Sequence, residues 1–200
     1  MSARCRARAI GLSRSILLLL TLVVVAPRAV RAQAAQPVSL QGSALYTVQS
    51  FGSGGKVGGV GIEAQARYNP GRLSYGIGYQ YSSHSSGGDE LKLTGVFFEP
   101  RFAVDVGGGV IAPYIAGRAA WLHQSSDFAN YGKFSTNGHA FGLGAGMLWR
   151  LTYRLNLDIG AAVLRQVLKD KEFAAGPPAR FPAFTGFVVK GGLTVGLGGN

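Results

Sequence analysis

From Val38 onward, apolar and polar residues alternate with a period of two, and clusters of Gly, Ser, Asn and Pro interrupt them. Successive side chains of a β-strand point to opposite faces, so this pattern predicts strands with one apolar and one polar face. Over 60–68, Val60, Ile62, Ala64, Ala66 and Tyr68 share one face, while Gly61, Glu63, Gln65 and Arg67 share the other. Over 73–82, Leu73, Tyr75, Ile77, Tyr79 and Tyr81 oppose Ser74, Gly76, Gly78, Gln80 and Ser82. Phe141, Leu143, Ala145, Met147 and Trp149 oppose Gly142, Gly144, Gly146 and Arg150. Leu155, Leu157, Ile159, Ala161 and Val163 oppose Asn156, Asp158 and Gly160. Phe187, Val189, Leu193, Val195 and Leu197 oppose Lys190, Thr194 and glycines.

The pattern predicts eight strands, at 38–50, 57–68, 72–83, 91–105, 111–123, 138–151, 153–165 and 184–198. The first, third, fifth and seventh connections are expected to be long: Phe51 to Lys56, His84 to Glu90, Gln124 to Asn137 and Gln166 to Ala183. The second, fourth and sixth are expected to be tight: Asn69-Pro70-Gly71, Val106 to Gly109 and Leu151-Thr152. An even strand count with tight turns at one end and longer loops at the other predicts an all-β, antiparallel, up-and-down transmembrane β-barrel. Both termini and the tight turns then belong to the periplasmic side, and the long loops to the exterior.

The charges decide which face meets lipid. Glu63, Arg67, Glu99, Arg101, Arg118, Arg150, Asp158 and Lys190 lie on the glycine-bearing faces. An eight-stranded barrel is just wide enough inside to be filled by side chains, and charges of both signs can pair there. These eight are the candidate lumen charge network. With the opposite orientation, eleven Phe, eight Tyr and two Trp would crowd a narrow core. The aromatics also suit two interfacial girdles. Tyr68, Tyr75, Phe102 and Trp149 fall near the inner strand ends; Tyr79, Tyr81, Trp121 and Phe141 fall near the outer ends. Two segments break the regularity. In 95–104, Phe97 and Phe98 must point to opposite faces, and Pro100 in mid-strand lacks a ladder donor and predicts a bulge; Pro113 begins strand five, a position that tolerates it.

Composition enters through the N-terminus. The chain of 200 residues carries a formal net charge of +11. Residues 1–32 contain Arg4, Arg6, Arg8, Arg14, Arg28 and Arg31 and no acid; without them 14 basic and nine acidic residues remain. The basic start, the apolar run Ser15–Ala26 and Val30-Arg31-Ala32 form the three parts of a secretory signal peptide. Residues 1–32 are therefore expected to be cleaved before Gln33, leaving 33–200 as one barrel domain. The apolar run is too short for a spanning helix. The high pI belongs partly to the discarded segment, so no nucleic-acid partner is implied. Cys5, the sole cysteine, is lost with the signal, so disulfides and cysteine–metal sites are excluded.

Taken together, residues 33–200 resemble the small Gram-negative outer-membrane β-barrels of the OmpX, OmpA-transmembrane-domain and opacity-protein type. The resemblance is carried by the alternation, by Phe98-x-Pro100-x-Phe102, by Pro113-Tyr114-Ile115-Ala116-Gly117 and by the glycine-spaced strand at 142–146. It implies location in the outer membrane among lipid and lipopolysaccharide, and passage through the barrel-assembly machinery. Such proteins end in an aromatic residue that this machinery reads. Here Phe187 is the last aromatic, a departure from that pattern, with Leu197 the candidate substitute.

No catalytic set emerges. His84, His123 and His139 are expected at the outer rim or in loops, with His123 and His139 facing each other across strands five and six. No carboxylate completes a metal site with them. His123-Gln124-Ser125 is similar to the His-x-Ser pair of outer-membrane lipid A deacylases, but Ser126 and Asp127 follow and no glutamate appears before Glu172. The glycine clusters at 52–55 and 107–109 lack a following helix and a Gly-Lys-Ser/Thr ending, so they read as turns. The expectation is a non-enzymatic protein without cofactor. Its extracellular loops would contact an unidentified partner, and a salt-bridge network would close its lumen. A narrow gated channel and a lipid A-modifying enzyme are the alternatives.

Overall fold

The computed structural model describes residues 36–50, 55–86, 89–106, 108–128, 132–169 and 183–198. The expected signal peptide with Cys5 and its expected cleavage site lie outside the described residues, as does most of the first and last predicted loops. Eight strands follow in order: β1 (Val38–Ser50), β2 (Lys56–Tyr68), β3 (Leu73–Ser86), β4 (Asp89–Ala103), β5 (Ile111–Phe128), β6 (Gly132–Arg150), β7 (Leu155–Leu168) and β8 (Phe184–Leu197). Each pairs antiparallel with its neighbours, and β8 pairs with β1, so the sheet closes into a barrel with no free edge.

The register fixes the barrel's shape. Leu40 pairs in turn with Ala66, Ile77, Phe98, Ala119, Phe141, Arg165 and Thr185, and Thr185 returns to β1 at Ser50 rather than Leu40. This offset of ten residues is the shear of the barrel. With eight strands, it sets a strand tilt of about 40°. An even offset keeps the inward and outward faces continuous around the wall.

The wall is apolar outside, and its inward face carries the buried polar and charged side chains. Ile62, Ile77, Ile115, Trp121, Leu143 and Val163 are all more than half exposed, and Leu143 reaches 76%. Along β6 the outward row runs from Phe141 to Trp149, about the length a tilted strand needs to cross a hydrocarbon core.

Several expectations change. β5 and β6 pair beyond the anticipated loop, through Gln124↔Thr136 and Ser125↔Ser135 to Phe128↔Gly132. The long fifth connection is therefore mostly a projecting hairpin. The third is shortened in the same way, because Ser86 still pairs with Asp89. Pro100 makes no bulge. Phe98↔Ala119 and Arg101↔Ala116 keep one register on its β5 side, and Tyr75↔Pro100 continues the β3 ladder. The proline instead replaces a ladder step opposite Gly117, which has no side chain to meet the ring. Phe97 turns inward and Phe98 outward, where it stacks on Tyr75 at 6.4 Å.

Tight turns close the other end. Gly108 and Gly109 take positive φ of 73° and 84°, a backbone region that suits glycine. Thr152 Oγ1 accepts from the backbone N–H of Leu155 at 3.1 Å, folding the 151–154 turn.

Candidate functional site

The lumen is the chemically distinctive region. Alternation sends every second residue of each strand inward, and closure brings those rows together. Seven of the eight predicted lumen charges meet there: Glu63, Arg67, Glu99, Arg101, Arg118, Asp158 and Lys190. Glu99 is the hub. It receives Arg67 at 3.3 Å, Arg101 at 2.8 Å, Arg118 at 3.4 Å and Lys190 at 3.1 Å. Glu63 binds Arg118 Nη2 at 2.6 Å and Lys190 at 3.3 Å. Asp158 binds Arg101 Nη1 at 2.8 Å and accepts from Tyr114 and Gln41. Four cations and three carboxylates thus interlock, which is how charges persist when removed from water.

Arg150 does not join them. It sits at the end of β6, half-buried beside the turns, where its charge acts on Asp105. Its parity is inward, but the register carries it below the network. The Asp105 carboxyl is held above its usual range because burial outweighs the attraction of Arg150 and Arg72.

Sequence reasoning placed Gln65 and Ser74 on the polar face but missed Gln41 and Tyr114 as inward partners; all four complete the network. Tyr114 shares the parity of Arg118, which was the available signal. Its ring lies under the Arg101 guanidinium at 4.3 Å, and its hydroxyl passes the side-chain-free Gly146 and Gly160 to reach Asp158.

An unforeseen apolar layer lies on the loop side of the charges. Leu45, Leu93, Phe97, Ala120, Leu122, Ala140, Leu164 and Val188 form one buried cluster inside the barrel. Phe97 joins the two layers, since Arg118 lies 3.7 Å over its ring. Beyond this layer comes a polar tier that includes Gln49, His84, Gln124 and Gln166. His84 was expected at the rim. It is instead buried in β3, with Nε2 2.7 Å from the Thr47 hydroxyl.

His123 and His139 are outward and exposed. They do not pair with each other: His123 stands opposite Asn137 and His139 opposite Trp121. His123 Nδ1 donates to Asn137 Oδ1 at 2.7 Å. Gln124 points the other way and donates to Ser126. Among the described residues, no three His, Cys, Asp or Glu side chains group to hold a metal ion. The eight girdle aromatics, Tyr68, Tyr75, Tyr79, Tyr81, Phe102, Trp121, Phe141 and Trp149, all lie on the outward face; Tyr81 and Phe102 are the half-buried ones.

The closed eight-stranded barrel recurs in solved structures. Neisserial surface protein A superposes with a TM-score of 0.67, at 16% identity over 82% of this chain and all of that one. The chain has the fold of a small outer-membrane barrel. Ail, the attachment invasion locus protein of Yersinia pestis, superposes with a TM-score of 0.55, at 10% identity over 79% of this chain and 96% of that one. No family model matches the sequence, and no curated protein matches it.

Proposed function

We propose that the chain is an integral outer-membrane β-barrel, exported by its signal peptide, that acts as a non-enzymatic structural or surface-interaction protein. One observation carries this reading: the apolar side chains face out and the charges face in. A water-soluble protein rarely exposes a continuous apolar surface of this extent. In a bilayer the same surface is the solvated one, and closure satisfies the backbone of every strand.

The rest of the reading follows from this orientation. The tight turns lie in the periplasm, and the β5–β6 hairpin and the loops project outward. The charged network and the apolar layer of Phe97 and Leu122 together fill the lumen, which favours a closed barrel over a channel. A partner outside the cell would meet the projecting loops. Lipopolysaccharide would surround the outer rim, and the barrel-assembly machinery would insert the chain.

The test is a heat-modifiability gel of isolated outer membranes. A folded barrel resists SDS and migrates differently before and after boiling. A shift in the outer-membrane fraction supports the reading. Recovery of the protein in the detergent-free periplasmic extract removes it.

A further inference from the structure

A groove of about 430 Å³ runs along the outside of the barrel near its loop end. The register explains its form. Val96 and Thr94 of β4 are short and make its floor. Tyr79 of β3 stands beside Val96 on one side, and Trp121 of β5 on the other. His123 stands opposite Thr94, and His139 opposite Trp121. Lys169 closes the far end, tied to Asn137 by a backbone bond of 2.9 Å.

The lining changes character along the barrel axis. Towards the turns it is aromatic and continuous with the apolar wall. Towards the loops it carries Lys169 and two imidazoles, with Arg165 opposite Phe141 just below. Among the described residues no carboxylate lines it. The groove therefore matches an amphiphile with acyl chains below and an anionic head above. From Tyr79 to Lys169 it crosses four inter-strand steps, about 19 Å. That breadth suits a headgroup of two sugars with two phosphates better than one glycerophosphate. Trp121 and Tyr79 offer flat faces to sugar rings, and Lys169 offers charge-assisted bonds to phosphate beside the two imidazoles.

We propose that this groove seats the phosphorylated disaccharide head of lipid A, the saccharolipid of the outer leaflet. The proposal rests on the outer-membrane reading above. The seat lies on the outer wall, apart from the lumen and its network.

Native mass spectrometry of the detergent-folded protein tests it. The probes are bisphosphorylated lipid A, dephosphorylated lipid A and phosphatidylglycerol. The expected result is one retained bisphosphorylated lipid A, with the other two held about tenfold more weakly, as for loss of a charge-assisted bond. The Lys169→Glu/His139→Ala variant should lose about tenfold, and Arg154→Ala, at the turn end, should lose nothing. Equal retention of phosphatidylglycerol overturns the proposal, as does undiminished lipid A on the double variant. Each sample is first run as a heat-modifiability gel. A normal shift without lipid A retention rejects the groove alone, and an absent shift in the parent protein rejects the barrel reading with it.

Discussion

Arg101 of β4 reaches Asp158 of β7 across the lumen, with Nη1 2.8 Å from Oδ2 and both side chains almost wholly buried. The two strands are not neighbours, so this pair braces the barrel through its interior rather than along its wall.

Removal of one partner strands the other in a dry interior. Arg101→Ala should lower stability by about 3–5 kcal/mol, because Asp158 and Glu99 both lose a cation. Arg101→Met with Asp158→Leu should recover part of that loss, since apolar replacement of a whole pair is often tolerated. Urea unfolding of the folded protein in detergent, followed by gel shift, measures both. Equal stability of Arg101→Ala and the parent would remove the bracing role.

Tyr114 depends on glycine. A Cβ built on Gly160 would lie 2.5 Å from the Tyr114 hydroxyl, with no other atom as close. Gly160→Ala should therefore cost about 1–3 kcal/mol by pushing the ring off Asp158. Tyr114→Phe in that background should restore part of the loss, since it removes the clashing oxygen. Unfolding midpoints of the two variants decide the matter.

Phe97 packs in the inner apolar layer of the proposed closed lumen. Phe97→Ala should cost about 3–5 kcal/mol, through lost burial and the cavity left behind. If the apolar layer and the network fill the bore as proposed, the parent protein should show no unitary conductance in planar bilayers. Discrete openings in the parent would contradict a closed lumen.

Asp105, in the turn between β4 and β5, makes a prediction about pH. Its carboxyl is raised by burial, and neither oxygen has a hydrogen-bond partner among the described residues. A carboxyl raised on folding favours the protonated form, so its contribution is full below the unfolded value near 3.9 and is lost as pH rises through the folded value. Asp105→Asn should therefore flatten that part of the stability profile and raise the unfolding midpoint at neutral pH. A lowered midpoint at pH 7 would contradict it.

Strand number, parity and the inward charges were legible because one face of each strand was plainly apolar. The projecting β5–β6 hairpin was not. Ser125, Ser126, Ser135 and Thr136 are polar on both faces, so pairing leaves no alternation there. The inner apolar layer was hidden for the opposite reason. Leu45 lies between Ala44 and Tyr46, and a run apolar on both faces has no visible parity. Arg150 and His84 needed the register, which places one below the network and the other inside the barrel. The outer-wall groove arises from short side chains on β4 beside large ones on β3 and β5, a relation across paired strands that the alternation of any one strand does not show.

The most direct test of the inside-out barrel is a nitroxide spin label at two sites of β6, in protein reconstituted into lipid vesicles. Leu143→Cys lies on the exposed face and Leu148→Cys on the buried one. The label at 143 should collide freely with oxygen dissolved in the hydrocarbon and hardly at all with a water-soluble nickel chelate, while the label at 148 should be shielded from hydrocarbon oxygen. Ready nickel contact at 143, with the oxygen preference at 148, would show that the apolar wall does not face lipid.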